Sequence, residues 1–193
     1  MARRNTALFL AAAVLALVTG CASTPRSGPA VNPNATEANP PGDIPDDQVF
    51  VTFTPPSGGY TIGVPEGWAR TESGGAVSFT DKLNTVRVET VPAPTPATVE
   101  RARAGEVPAI QASSSHFTLG DVTTVQRKAG EAVLVTYNAD GPKDQVTGKV
   151  VANAVERYEF WRDGTEVVIT LSGPVGADNV DPWRTVTDSF GWS

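Results

Sequence analysis

The 193-residue sequence is short of the residues that usually carry metal or redox chemistry. It contains one cysteine, Cys21, and one histidine, His116. A zinc site needs three or four Cys, His or carboxylate ligands, so such a site is not expected. A single cysteine also excludes an internal disulfide. We therefore expect no metal, no cofactor and no disulfide framework.

Basic residues are scarce as well. Lysine occurs four times, and the chain holds 15 basic residues against 21 acidic ones. Nucleic acids and anionic lipids attract clustered Lys and Arg. We therefore expect no nucleic-acid partner, and the overall charge argues against direct electrostatic adhesion to a membrane.

The apolar run from Ala7 to Val18 is too short to span a bilayer as a helix, which takes about 20 residues. Arg3 and Arg4 precede this run, and small residues follow it. A positive start, a short apolar run and a small-residue end are typical of an export signal. We expect residues 1–20 to be removed.

Cys21 directly follows the apolar run, with Val18 three residues before it and small residues between. This pattern resembles the lipobox of bacterial lipoproteins. In that family a diacylglyceryl group is attached to the thiol and a peptidase cuts before the cysteine, and both roles fall here on Cys21. Ordinary cleavage after Ala22, which would discard the cysteine, is the alternative. We expect the mature chain to be anchored by lipid to the extracytoplasmic face of the cell membrane.

Loss of Arg3 and Arg4 leaves 13 basic residues against 21 acidic ones, a net charge of −8. Residues 21–47 then form a lipidated tether. From Ala22 to Asp47 the tether contains six prolines and almost no large apolar residue. Such a segment cannot bury enough apolar surface to offset its ordering entropy, so we expect a flexible spacer. Residues 48–193 have the length of one domain.

Alternating apolar residues between turn signals predict eight strands in this domain. They are Val49–Phe53, Tyr60–Val64, Ala76–Thr80, Thr85–Val91, Asp121–Lys128, Ala132–Tyr137, Lys149–Trp161 and Glu166–Leu171. Thr95-Pro96 predicts a helix to about Glu106, with Val99 and Ala102 inward and Arg101 and Arg103 outward. Asp181-Pro182 predicts a second helix. This order indicates an α+β fold, a central antiparallel sheet flanked by helices.

Several runs resemble the PsbP-like domain of small actinobacterial lipoproteins of the LpqN kind. They are Tyr60–Trp68, the central helix, Arg157–Gly164 and Trp183–Phe190. The resemblance spans most of residues 48–193. It implies an α/β/α-like sandwich used mainly as a binding or accessory module, with no catalytic set.

Two groups of polar residues were weighed as catalytic or metal sites. His116 follows Ser113–Ser115, but adjacency in sequence is not the geometry that a nucleophile and base need, and a loop explains the run. Calcium takes oxygen ligands, and Asp140, Asp144 and the pair Asp178 and Asp181 are the candidates that carry them. Their spacing matches no known loop, and turn or cap roles explain them. We predict no catalytic and no metal-binding residue.

Aromatic residues crowd the C-terminal third: Tyr158, Phe160, Trp161, Trp183 and Trp192. Aromatic side chains fill cores, line ligand pockets and anchor interfaces. Trp183 belongs to the core face of the last helix. Trp192, one residue from the end, is the best candidate for an exposed contact residue.

We predict a non-catalytic, lipid-anchored binding or accessory module that contacts another envelope protein. The main alternative is a carrier or receptor for an apolar or glycolipid-like ligand held between sheet and helix. An envelope hydrolase centred near His116 is a third hypothesis. A filled interior favours protein contact, whereas an apolar cavity of several hundred Å³ between sheet and helix favours a ligand.

Overall fold

A computed structural model describes residues 41–193. The predicted export signal, Cys21 and most of the predicted tether lie outside the described residues. Within residues 41–193, no helix combines the length and apolarity needed to cross a bilayer.

Ten strands and two helical regions make up the described chain. The strands are β1 (Phe50–Phe53), β2 (Tyr60–Pro65), β3 (Ala69–Ser73), β4 (Ala76–Asp81), β5 (Asn84–Pro92), β6 (Thr118–Arg127), β7 (Gly130–Asp140), β8 (Ala152–Arg162), β9 (Thr165–Pro174) and β10 (Gly191–Trp192). The helical segments are α1 (Val99–Arg101), a π-helical turn (Ala102–Glu106), α2 (Val107–Ser113) and α3 (Val180–Ser189). We call the continuous stretch 99–113 the composite helix.

Seven strands form one antiparallel sheet in the order β3-β4-β5-β9-β8-β7-β6. A second sheet contains three strands in the order β1-β2-β10. Hairpin turns join most neighbours in the large sheet, and Asp163–Gly164 closes the β8–β9 pair as its sequence predicts. Antiparallel pairing brings alternate turns to opposite ends of the large sheet.

Alternation within each strand gives the large sheet two unlike faces. In β5, Val86 and Val88 are almost fully buried, while Arg87 and Glu89 point to the other side. In β8, Phe160 is buried on the apolar face. One face is therefore apolar along the sheet, and the other carries charged side chains.

The three-stranded sheet and α3 cover the apolar face together. Trp183, Val186 and Phe190 of α3 pack into a core that also holds Tyr60 and Phe160. The ring centroids of Phe160 and Phe190 lie 4.5 Å apart, and those of Tyr60 and Phe190 lie 5.9 Å apart. Each of these five side chains is less than a tenth exposed. The space between the two layers is therefore filled by side chains.

The composite helix lies on the opposite face of the large sheet. Ala102 and Val107 pack there against Val122 of β6 and against Val133 and Val135 of β7. The antiparallel sheet is confirmed, but the expected helix-flanked sandwich is matched only in part. A second sheet shares one layer with α3, because β2 buries Tyr60, Ile62 and Val64 on the same core.

Several local predictions differ from the structure. The first helix begins at Val99 with Thr98 as its N-cap, three residues later than the Thr95-Pro96 signal predicts. The first helix continues past Glu106 to Ser113, because a π-helical turn precedes Pro108. The Val107 N–H donates to the Ala102 carbonyl five residues back, and this wider turn accommodates a proline that lacks an N–H. Strand β3 was not predicted, since all five of its residues are exposed and no apolar alternation marks it.

Asn179 connects the start of the described chain to the sheet. Its Oδ1 accepts from the Ile44 N–H at 2.8 Å, and its Nδ2 donates to the Gly42 carbonyl and to Asn84 Oδ1, both at 3.0 Å. Ile44 is buried in the main core, so packing includes residues before Gln48. The chain therefore enters the fold beside the β4–β5 turn and the start of α3.

We predict that Asn179→Ala lowers the free energy of unfolding by about 2 kcal/mol or more, because the buried Ile44 N–H and the buried Asn84 Oδ1 lose their partner. Urea unfolding of the mature protein measures the change. Asn138→Ala, at an exposed position in β7, is the control and should change stability by less than about 0.5 kcal/mol. Equal midpoints for the native and Asn179→Ala proteins would contradict this role.

Candidate functional site

A cleft of about 350 Å³ opens at the end of the large sheet that holds the β6–β7 and β8–β9 turns. We call it the tryptophan cleft. Its lining residues are Pro96, Ala97, Ala129, Gly130, Glu131, Ala132, Val133, Glu159, Trp161, Arg162 and Trp192. Large aromatic, charged and buried polar side chains line it together.

Both tryptophans of the cleft are held in place by backbone contacts. The Trp161 Nε1–H donates to the Ala93 carbonyl at 2.8 Å, in the segment that leads to the composite helix. Trp192 belongs to β10 and pairs with Tyr60 of β2. The two indoles come from different sheets, so their meeting depends on how the layers pack.

Trp192 was predicted as an exposed contact residue, and the structure places it half-buried in the cleft wall. Its ring makes an edge contact with Phe190 at a centroid distance of 5.1 Å. The Arg162 guanidinium lies 4.8 Å from the Trp192 ring centroid, a cation–π contact. Trp192 is therefore a fixed side chain with one accessible part, the form that interface anchors take.

Glu159 lines the cleft from the charged face of β8 and its side chain has no solvent exposure. Arg157 Nε donates to Glu159 Oε1 at 3.0 Å. Burial raises the pKa of the Glu159 carboxyl, and the Arg157 charge opposes that rise only in part. The ionised carboxylate is thus costly here, and a proton or a further polar partner relieves the cost.

Arg101 of α1 ties the composite helix to this carboxylate and to two others. Its guanidinium bonds to Glu166 of β9, and its Nη2 lies 3.7 Å from Glu159 Oε2. Its Nε lies 3.4 Å from Glu106 Oε1 in the π-helical turn. The prediction that Arg101 faces outward was wrong, because three buried or half-buried carboxylates draw the side chain toward the sheet.

Three buried polar atoms in this cluster have no hydrogen-bond partner among residues 41–193: Arg101 Nε, Glu106 Oε2 and Glu159 Oε2. Buried polar atoms in native proteins are nearly always satisfied by protein or water. Water or a polar group of a partner in the cleft can satisfy these atoms. The arrangement can bind and orient a partner.

His116 is 85% exposed at its side chain and bonds through Nδ1 to Asp140 Oδ2 at 2.7 Å. This contact raises the His116 pKa. The nearby Ser113 hydroxyl donates to the Ala109 and Ile110 carbonyls of its own helix instead. The structure therefore does not join His116 and Ser113 into a nucleophile–base pair.

Of the aspartates considered as calcium ligands, Asp140 bonds to His116 and Asp144 makes a local turn contact. Asp144 Oδ1 accepts from the Val146 N–H, the Thr147 N–H and the Thr147 hydroxyl. The Asp178 N–H donates to Asp43 Oδ1. Within residues 41–193, no three His, Cys, Asp or Glu side chains converge in a way that would hold a metal ion.

No protein-family model matches this sequence, and no curated protein sequence matches it. Solved structures do share its fold. The solution structure of cyanobacterial PsbP (CyanoP) from Synechocystis sp. PCC 6803 has a TM-score of 0.52 and 16% identity, over 79% of this chain and 98% of that chain. The described domain therefore has a PsbP-like fold, as the sequence resemblance implied.

Two other structures overlap more loosely. A Bacteroides thetaiotaomicron VPI-5482 protein has a TM-score of 0.47 and 14% identity, over 74% of this chain and 48% of that chain. The present chain thus spans about half of that protein. The Ran-binding protein Mog1p of Saccharomyces cerevisiae has a TM-score of 0.48 and 11% identity, over 75% of this chain and 95% of its own. These are similarities of fold alone.

We predict that Glu159→Gln stabilises the protein at about pH 7. Because the folded-state pKa of Glu159 is raised, the folded protein holds this proton more tightly than the unfolded chain does. The native protein therefore loses stability as pH rises from the ordinary glutamate pKa, about 4.3, through the folded value. Glutamine does not ionise and avoids this loss.

Melting temperatures of both proteins between about pH 4 and pH 8 measure the effect, which should shrink toward the acidic limit. Glu131→Gln, at an exposed position on the rim of the same cleft, is the control and should leave the pH profile unchanged. A constant difference at every pH would show that the Glu159 charge is not the cause.

Proposed function

We propose that this chain is a lipid-anchored envelope protein whose folded domain is a non-catalytic binding module. Lipid on Cys21 holds the domain at the extracytoplasmic face of the membrane, and the tryptophan cleft contacts another envelope protein. The lipobox pattern supports the anchor. The PsbP-like fold is compatible with an accessory role, as the resemblance to LpqN-type lipoproteins implies.

The observation that carries the binding role is the cleft itself. Trp161, Trp192 and Arg162 are of the residue types that dominate binding energy at protein interfaces. Glu159 adds a buried carboxylate oxygen that has no hydrogen-bond partner within residues 41–193. A partner that covers the indoles and supplies a hydrogen-bond donor would satisfy both features.

A carrier that holds an apolar or glycolipid-like ligand between sheet and helix is the other reading. The packing of Phe160 and Phe190 fills the space where α3 and the second sheet meet the large sheet. An apolar ligand there would have to displace well-packed aromatic side chains. The filled interior therefore supports contact at the surface over carriage inside.

We predict that Cys21→Ala releases the protein from the membrane. A single short acyl chain binds only marginally, but a diacylglyceryl group provides stable anchoring, so its loss should move the chain to the soluble envelope fraction. Detergent phase partitioning and the intact mass of the purified protein measure the change. Ser23→Ala keeps the cysteine and is the control. A native protein that carries no lipid mass would refute the anchor.

We predict that Trp192→Ala weakens the partner contact at least tenfold, since truncating an interfacial tryptophan costs about 2 kcal/mol or more. Photo-crosslinking from a reactive amino acid at Glu131, on the cleft rim, measures the contact in whole cells. Thr124→Ala, at an exposed position in β6, is the matched control. Crosslinks of equal yield in both variants would rule out the cleft as the contact site.

A further inference from the structure

The exposed large apolar residues of the described chain concentrate at one end of the large sheet. Eight such residues occur within residues 41–193. Six of them lie where β4 meets β5, where β7 meets β8 and where β9 leads to α3. We call this surface the valine end: Leu83, Val146, Val150, Val151, Val175 and Val180. The other two, Val49 and Val51, lie at β1.

The β7–β8 loop is built to display one of these side chains. Val146 is 94% exposed at the tip of the loop. Asp144 Oδ1 accepts from the Val146 N–H at 3.1 Å and from the Thr147 N–H at 2.6 Å. The Asp144 N–H donates to the Lys149 carbonyl at 2.8 Å across the loop. An apolar side chain that is held out in water by specific bonds points to something that covers it.

Lysines surround these apolar residues. A groove of about 370 Å³ separates the loop from the β4–β5 turn, and Lys82 and Lys143 line it together with Leu83, Val146 and Val151. Lys149 lies in the same loop. Three of the four lysines of the chain are therefore at the valine end, and the fourth, Lys128, is at the opposite end, in the β6–β7 turn.

Carboxylates outnumber the three lysines at this end, so the net charge of the surface is negative. Asp81 lies 3.6 Å from the Lys82 Nζ, and the Asp144 carboxylate is engaged within its loop. Asp178 and Asp181 stand around the start of α3. Attraction to a partner therefore comes mainly from the apolar side chains, with the lysines as local contacts. The surface of a lipid bilayer, where phosphate groups lie above an apolar layer, matches this combination of apolar side chains and lysines.

The chain enters the fold at the same end. The Gly42 carbonyl accepts from Asn84 Nδ2, next to the β4–β5 turn, and from Asn179 Nδ2 at the start of α3. Residues 22–40 connect this point to Cys21. When lipid already anchors the chain, contact between the valine end and the same membrane is effectively intramolecular. Even a surface that binds lipid weakly is then occupied.

We propose that the valine end docks onto the lipid bilayer surface, with its apolar side chains among the headgroups and its lysines on lipid phosphates. This inference rests on the lipid anchor at Cys21. Since the tryptophan cleft occupies the opposite end of the sheet, docking presents the cleft away from the membrane.

A polarity-sensitive dye at position 146 tests the proposal. Cys21 is the only cysteine, and lipidation consumes its thiol, so Val146→Cys in the acylated chain provides a single labelling site. The protein is reconstituted into phosphatidylcholine vesicles that contain a fraction of phosphatidylglycerol. We expect the nitrobenzoxadiazole emission to shift to the blue and to be quenched by brominated lipid. The same dye at Gln126→Cys, near the other end of the sheet, should emit as in water.

The outcomes distinguish docking of the valine end from the lipid anchor on which docking depends. Intact mass reports the lipid on Cys21, and vesicle flotation reports the anchoring. A protein without lipid refutes the anchor, and with it docking as stated. An acylated, vesicle-bound protein with water-like emission at position 146 refutes docking alone. Equal emission at positions 146 and 126 also refutes it.

Lysine variants provide the matched comparison. Lys82→Gln, Lys143→Gln and Lys149→Gln should each lower the docking equilibrium about fivefold, the effect of one basic residue near a lipid surface that contains anionic lipid. Lys128→Gln removes the same charge at the other end of the sheet and should leave docking unchanged. An equal loss in all four variants would show a general charge effect and overturn the proposed surface.

Discussion

The Arg101 guanidinium ties the composite helix to carboxylates on the charged face of the large sheet, and the geometry of the cleft depends on it. Arg101 meets three carboxylates in a region largely closed to water. Losing Arg101 would be strongly destabilising, because buried carboxylates would be left without their positive partner. The helix therefore has one favoured position. The segment that precedes it, through Pro96 and Ala97, forms one wall of the tryptophan cleft.

The parts of the fold that follow from local pattern were predictable. Alternation marks β5, and Asp163–Gly164 marks the β8–β9 hairpin, because burial on one face and a tight turn each leave a local signature. The exposed strand β3 has no such signature in the sequence. The predicted direction of the Arg101 side chain was wrong. Helical periodicity contains no information about the carboxylates of β8 and β9, which lie 58 and 65 residues further along the chain. The cleft was not predicted for the same reason, although Trp192 was predicted as a contact residue.

The net charge of the chain does not predict where its lysines lie in the folded domain. A mature charge of −8 argues against adhesion to a membrane when the chain is treated as uniform. Folding separates the lysines, however, and brings three of them beside exposed valines at the end where the chain enters the domain. Composition gives the number of charged residues, whereas the fold determines which part of the surface each of them occupies. The proposed anchor, valine end and cleft then lie in order from the membrane outward.

We propose that the domain acts by contact at its surface and carries no ligand in its interior. Native mass spectrometry of the acylated protein, gently released from detergent, tests this most directly. We predict that the native mass equals the denatured mass, the polypeptide plus the acyl groups on Cys21. A native mass that exceeds the denatured one by a bound lipid would contradict the account and favour a carrier.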